Sequence, residues 1–251
     1  VFGMDIQRSV VDRALLLDSI NEELSDECLK ECDIVIIALY PGETIRFFKE
    51  KGNLFSKGTI VVDSCGVKQN ICQQIQPIAK ELELHFVGGH PMAGIEFSGF
   101  EYSRESLFKG ASMILTPPGD MDINVTFKLK NFFLEIGFGH VEITTPCNHD
   151  KIIAYTSQLA HIVSNAYVKS PSASKHKGFS AGSYLDLTRV ARLNPHMWTE
   201  LFLENKEFLA DEIDGLIFRL QSYRDAIKDE RSKELFKLLD EGTKRKVMID
   251  G

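Results

Sequence analysis

Between Gly88 and Gly99 the chain reads Gly-Gly-His-Pro-Met-Ala-Gly-Ile-Glu-Phe-Ser-Gly, which sets four glycines around one histidine, His90, and one glutamate, Glu96. Imidazole is the side chain whose ordinary pKa lets it exchange a proton near neutral pH. Glycines let a ligand approach the backbone closely, and Pro91 stiffens the chain beside His90. A lone histidine is more often structural, but one in a glycine-rich turn at a strand end points toward function. A second group of candidates lies at helical spacing. At about 100° per residue, Asp150, Ser157 and His161 share one stripe of a helix whose other faces carry Ile152, Ile153, Leu159, Ile162 and Val163. A stripe facing water usually carries Lys and Glu, whereas Asp, Ser and His suit the wall of a site. Asp186 and Arg189 stand three residues apart, the spacing of an ordinary helix-surface pair.

Such groups need a scaffold, and the hydrophobic pattern describes one. Over residues 1–145, short β-branched runs alternate with amphipathic segments, as in a parallel sheet wrapped by helices. Strands are expected at 1–6, 33–39, 59–63, 84–87, 112–115 and 140–143, with helices starting near Thr44 and spanning 124–136. The run at 33–39 has the composition of a fully buried strand and is ended by Pro41-Gly42. From Pro146 onward apolar residues recur every three or four positions and strand-like runs disappear. Helices are expected over 152–168, 197–218 and 223–239, with 169–183 as a polar connection. The fold class is therefore α/β: an incomplete Rossmann-like doubly wound sheet over 1–145, followed by an all-α substrate and dimerisation domain over 146–251. A helical half this rich in apolar positions needs a partner face, so a homodimer is expected.

A dinucleotide fold normally opens with a strand, a glycine-rich turn and a helix N-terminus facing the pyrophosphate, then a second strand ending in an acid that bonds the ribose. No GxGxxG occurs in this chain, and its first strand ends at Asp5, the place of the ribose acid on a second strand. Asp5 is either that ligand or a cap for the next helix. As a ligand its charge would repel a 2′-phosphate and favour NAD, although neighbouring Arg8 leaves NADP open. Ala38, Leu39 and Pro41, at the carboxyl end of a strand, lie where doubly wound sheets bind ligands, or they simply start a helix. Asp63, at the end of the next strand, is counted with them as a cofactor contact. A formal charge of −7, a pI near 5.6 and scattered basic residues argue against a nucleic-acid surface. No apolar run is long enough to cross a bilayer. Five cysteines, an odd number with no zinc-ligand spacing and no secretory leader, fit the cytoplasm and no metal.

The Gly88–Gly99 segment resembles the prephenate and arogenate dehydrogenase family, whose GGHPMAG-type stretch is followed by Glu and Ser-Gly. His149-Asp150, Ser157 and His161 match that family's HD…S…H helix. Asp186-Leu187-Thr188-Arg189-Val190-Ala191 and Pro195-His196-Met197-Trp198 match its D-x-T-R-x-A…P-x-M-W segment, and Leu203-Glu204-Asn205-Lys206 continues the likeness. The resemblance runs over nearly the whole chain, from the family's second strand onward. It implies NAD-dependent oxidative decarboxylation of prephenate to 4-hydroxyphenylpyruvate in tyrosine biosynthesis, with arogenate as the alternative substrate. It further implies that His90 is the base, that Arg189 grips a substrate carboxylate with Asp186 holding it, that His161 and Ser157 shape the pocket, and that Glu96 stands beside the pocket or gates it. Many members read D-x-G-S-V-K where this chain reads Asp63-Ser64-Cys65-Gly66-Val67-Lys68. Gly66 thus stands where a hydroxyl often orients the histidine and the substrate alcohol, and Ser64, two residues early, is several ångströms away. A water or the backbone at Gly66 is left to serve in its place. Trp198, the only tryptophan, suits core packing as well as a site. The missing phosphate-binding unit motivates a reading from another class, a catalytically impaired dimeric binding module.

Overall fold

β-Branched residues build the strands of the computed structural model, which describes residues 1–94 and 99–251; Glu96 lies outside the described residues. Strands β1 (Phe2–Gly3) and β2 (Glu22–Glu23) form a short parallel pair joined through helix α1 (Arg8–Leu16). A separate five-stranded sheet follows in the order β3 (Ile34–Ile37), β4 (Ile60–Asp63), β5 (His85–Met92), β6 (Ser112–Thr116) and β7 (His140–Ile143). The pairing is parallel except between β5 and β6, which run antiparallel, so the sheet is mixed rather than wholly parallel. The fully buried strand expected over 33–39 is corrected: β3 has four residues, of which Ile37 is buried and Ile36 is 47% exposed.

Strand β4 lies between β3 and β5, and all four of its residues are buried. Alternate residues face opposite layers, as the strand period of two requires. Val61 packs with Phe48, Ile71, Ile75 and Phe86, beneath helices α2 (Pro41–Lys51) and α3 (Gln69–Glu81). Ile60 and Val62 pack with Val87, Met113, Leu129 and Phe133, beneath helix α4 (Ile123–Glu135). Helices on both faces make this a doubly wound layer structure.

The first part of the glycine-rich run, expected as a turn, is in fact strand, since β5 extends to Met92. Gly88 and Gly89 serve packing between protein segments. A Cβ at Gly89 would lie 2.4 Å from the Asp63 carbonyl oxygen, and one at Gly88 2.3 Å from Thr116 Oγ1 and 3.0 Å from Lys68 Cδ. Pro91 is tolerated because β4 pairs only with the first three residues of β5, so no ladder hydrogen bond on that side needs its missing N–H.

The remaining elements are helical, as the three- and four-residue spacing requires. Helix α5 (Pro146–Ile153) is capped by the Thr145 side chain and leads through a π-helical stretch, Ala154–Leu159, into α6 (Ala160–Tyr167). Helix α7 (Gly182–Thr188) precedes α8 (Pro195–Glu204), where the Asn194 side chain accepts from two backbone N–H groups and Pro195 takes a first-turn position. The single helix expected over 197–218 is two, broken at Asn205. That expected over 223–239 spans the turn between α9 (Lys206–Lys228) and α10 (Ser232–Asp250), where Glu230 takes a positive φ of 54°. Two compact units result, Val1–Asn205 and Lys206–Gly251. The second is a helical hairpin closed by a hydrogen bond from Tyr223 Oη to the Leu238 carbonyl (3.0 Å), and it leaves Phe218, Ile227, Phe236 and Met248 exposed. Among the described residues no helix is long and apolar enough to cross a membrane.

The close approach at Gly89 yields a stability test. Gly89→Ala is expected to cost about 1–3 kcal/mol by overpacking against β4, read from the shift of the urea midpoint at constant slope.

Candidate active site

The turn from β4 into α3 is organised by a buried carboxylate. Asp63 accepts from the Cys65 N–H (2.9 Å) through Oδ2 and from the Gly89 N–H (3.1 Å) through Oδ1, and it pairs with the ammonium of Lys68. Neither side chain of that pair has any exposed surface. Gly88 makes room for the Lys68 stem, which explains both glycines of the pair by packing. Asp63 was expected at the cofactor; its side chain is instead consumed inside the protein, joining the turn to β5. Cys65 beside it donates to the Leu39 carbonyl (3.2 Å), and burial, followed by the Asp63 charge, pushes its thiol up to about 12. It is a structural thiol.

His90 lies one position beyond Gly89 on the face of β5 opposite to it, above the first turn of α3. Its Nδ1 is 2.8 Å from Nε2 of His149, whose Nδ1 is 2.7 Å from Oδ1 of Asp150. Asp150 also accepts from the backbone N–H of Lys68 (2.8 Å) and of Gln69 (2.8 Å), so it caps α3 from α5. A carboxylate at this helix terminus satisfies unpaired donors and complements the dipole. Burial, then His149, then the Lys68 charge hold His90 well below the ordinary histidine value. It is therefore a neutral imidazole at physiological pH.

The other ring nitrogen of His90 faces Gly66. An ideal Cβ at Gly66 would stand 3.9 Å from His90 Nε2 and 3.5 Å from a Leu201 methyl group. Leu201 belongs to α8, and its carbonyl accepts from the buried Gln158 side chain (3.1 Å). One turn earlier on α8, Trp198 lies against His161, with ring centroids 4.1 Å apart. His161 Nδ1 donates to the Val190 carbonyl (3.2 Å); burial, and after it the Arg189 charge, lower its proton affinity against the pull of that carbonyl. Helix α8 thus joins a His90–Gly66 group to a His161–Arg189–Trp198 group. Trp198, left open between core and site, belongs to the second group through its contact with His161. Arg189 is exposed at the end of α7, and Asp186 makes no ion pair with it among the described residues.

The expected stripe of Asp150, Ser157 and His161 requires correction. It assumed one α-helix, whereas Ala154–Leu159 is π-helical, and the wider turn changes the phase between Asp150 and His161. Asp150 is wholly buried under α3, while Ser157 and His161 are only partly buried. Sequence reasoning gave no role to His149, Lys68, Gln158 or Asn205. Asn205 donates to the Asp150 carbonyl (2.8 Å) and to Gln158 Oε1 (2.7 Å), which ties the end of α8 to α5. The one available signal was the His149-Asp150 dipeptide itself.

At the carboxyl end of β3, Ala38, Leu39 and Tyr40 are exposed, while Pro41 is buried at the start of α2. The α2 N-terminus is already occupied, since the Gly42 N–H donates to Glu200 of α8 (2.7 Å). Asp5 is exposed beyond β1, with Oδ1 accepting from the Gln7 N–H (2.8 Å). That bond is the turn role weighed for it, and it leaves the second oxygen unengaged among the described residues. Arg8 is taken up by Asp12 and Glu23.

Comparison with known proteins agrees with this arrangement at the level of the whole chain. Residues 1–142 match the family model for the prephenate dehydrogenase nucleotide-binding domain, and residues 145–241 that for the prephenate dehydrogenase dimerization domain. The chain belongs to the prephenate dehydrogenase family. It is similar to the prephenate dehydrogenase of Bacillus subtilis, at 30% identity over 94% of this chain and 66% of that protein, and so spans just under two thirds of that relative's length. The cyclohexadienyl dehydrogenase of Zymomonas mobilis is 27% identical over 98% of this chain and 85% of its own. Among solved structures, a prephenate dehydrogenase from A. aeolicus in complex with hydroxyphenyl propionate and NAD+ superposes with a TM-score of 0.82, at 30% identity, covering 99% of this chain and 88% of that one. The fold class read from sequence is that of this oxidoreductase family.

Where many family members carry a hydroxyl beside the histidine, Gly66 offers space for one. Gly66→Ser is expected to fold with a change below about 0.5 kcal/mol by urea denaturation, because its Cβ meets only ordinary van der Waals contacts. A loss above about 2 kcal/mol would show that the Leu201 side of the site cannot yield.

Proposed function

We propose that this chain oxidatively decarboxylates prephenate to 4-hydroxyphenylpyruvate with NAD, a step in tyrosine biosynthesis. The observation that carries the reading is His90: a neutral imidazole with one nitrogen engaged by His149 and the other facing Gly66, in a chain of this family. The A. aeolicus relative supports it, since the hydroxyphenyl propionate bound there pairs a phenol ring with a three-carbon acid, as the product does.

The residues at the carboxyl ends of the strands fit part of a nicotinamide dinucleotide. Asp5 has a free carboxylate oxygen for a ribose hydroxyl, and with Arg8 held in ion pairs its charge disfavours a 2′-phosphate, hence NAD over NADP. Exposed Ala38 and Leu39 offer an apolar shelf above β3, with Pro41 buried beneath it. When bound, the nicotinamide supplies the two-electron acceptor for the hydride on the hydroxyl-bearing ring carbon.

His90 Nε2 accepts the hydroxyl proton as that carbon becomes a carbonyl. The ring carboxylate then leaves as CO₂, its carbon–carbon electron pair enters the ring, and the carbonyl oxygen takes back the proton held by His90 to end as the phenol hydroxyl. Arg189 binds a substrate carboxylate through its planar guanidinium. Asp186 lies on the preceding turn of α7, and His161 and Ser157 line the pocket beside it. Gly66 leaves space at the reacting hydroxyl. The family's dimerization domain over 145–241, with the exposed apolar residues of the α9–α10 hairpin, supports a homodimer. Five free cysteines accord with a cytoplasmic location.

His90→Asn is expected to lower kcat with prephenate and NAD by roughly a hundredfold or more, with little change in substrate affinity. Because His90 holds its proton weakly, the acid limb of the wild-type pH–rate profile should lie below the ordinary histidine value of 6.5, with turnover level above it. Near-normal turnover of the variant would remove His90 as the base. Arg189→Gln is expected to raise KM for prephenate about tenfold or more, for a loss of about 1.5–3 kcal/mol in charge-assisted bonding. An unchanged dissociation constant would reject the assignment. Arogenate assayed in parallel tests the choice of side chain on the substrate.

A further inference from the structure

The geometry assigns His149 and Asp150 a specific role, which is to fix the nitrogen of His90 that carries the proton and so to make Nε2, the nitrogen facing Gly66, the basic one. The assignment follows from counting donors and acceptors along the row. Both Asp150 oxygens accept from backbone N–H groups, those of Lys68 and Gln69, at 2.8 Å each. Backbone N–H donors at both oxygens suit a carboxylate rather than a carboxylic acid, so the short contact with His149 Nδ1 (2.7 Å) is assigned with the imidazole as donor. With Nδ1 committed as donor, the neutral form of His149 presents a lone pair at Nε2, whereas a doubly protonated His149 would donate there. For the neutral form, that lone pair is 2.8 Å from His90 Nδ1, which donates. His90 is left with its proton on Nδ1 and its free lone pair on Nε2.

Three features hold this row in place. His149 and Asp150 are fully buried, and Asp150 is anchored at the N-terminus of α3. The Asp150 carbonyl is bound by Asn205, which prevents α5 from turning relative to α8. The charged groups around His90 are consistent in sign: Lys68, neutralised in part by Asp63, opposes protonation of the resting imidazole, while Asp150 stands two hydrogen bonds away. When Nε2 takes a proton from a substrate hydroxyl, the O–H bond breaks, the N–H bond forms, and the positive charge is shared through the Nδ1–H bond toward His149 and Asp150. His149 and Asp150 do not touch the reacting atoms; they are positioning residues.

This inference rests on the proposed role of His90, and its test separates the two. His149→Gln keeps an acceptor, the amide oxygen, within reach of His90 Nδ1, whereas His149→Leu removes it at similar volume. In steady-state assays of the full chain with prephenate and NAD, the leucine variant is expected to lose kcat on the order of a hundredfold and the glutamine variant less than about tenfold, with KM for prephenate nearly constant in both. Equal losses in two folded variants, or a leucine variant near wild-type turnover, would overturn the assignment. Nitrogen-15 NMR of histidine-labelled wild-type protein reads the tautomer directly and requires neither turnover nor a stable variant. His90 should carry its proton on Nδ1; a proton on Nε2 overturns the assignment. If the wild-type chain turns over neither prephenate nor arogenate while His90 is protonated on Nδ1, the functional reading fails and the positioning role stands.

Discussion

The carboxylate of Asp150 is the point on which the site depends. It is a fully buried anion that does not rely on an ion pair with Lys or Arg, being held by backbone N–H groups at the start of α3 and by the His149 ring. Burying a charge is costly unless it is well hydrogen-bonded, and a helix N-terminus is among the few places that meet the condition with main-chain donors alone. The same bonds that make the charge tolerable also join α5 to α3. Since α3 follows directly from the turn that carries Gly66, and α5 carries His149, one carboxylate sets the distance between the histidine row and the wall it faces.

A second buried carboxylate has the corresponding function within the sheet. Asp63 ties the end of β4 to Gly89 of β5 and to Lys68, and so determines where β5 presents His90. Replacing such a buried pair by apolar residues is often neutral for stability, so its presence is a poor argument for stability alone. Here it places a cation beside an imidazole that must remain neutral until it receives a proton. Structural and chemical demands thus coincide on the same short turn, between Asp63 and Lys68.

The glycine-rich segment illustrates how a correct location can follow from an incomplete reason. Glycine at positions 88 and 89 is compatible with the close approach of a ligand, yet Gly88 and Gly89 make way for the Lys68 stem, Thr116 and the β4 backbone. The chemistry assigned to His90 is unaffected, because what matters is that β5 runs on to the carboxyl edge of the sheet and carries the imidazole there. The continuation is possible because β6 pairs antiparallel with Gly88–Met92 after β4 has ended. A turn would have left His90 without a rigid base.

Much of the protein was determined by local sequence. Hydrophobic periodicity set the alternation of strands and helices and the change to an all-helical half near Pro146, because side-chain burial follows the period of the element that carries it. Residue spacing in several segments placed the chain beside one enzyme family, and His90, Arg189 and His161 stand out by residue type and motif alone. Pairing direction and hydrogen-bond partners were decided only in three dimensions. A π-helical stretch alters the phase of the polar stripe that ideal α-helical geometry would give. His149 is inconspicuous in the sequence because a histidine beside an aspartate has no evident function until its Nε2 is seen 2.8 Å from His90. That contact joins residues 59 positions apart, and such proximity is a property of packing between elements, which no local pattern in the chain encodes.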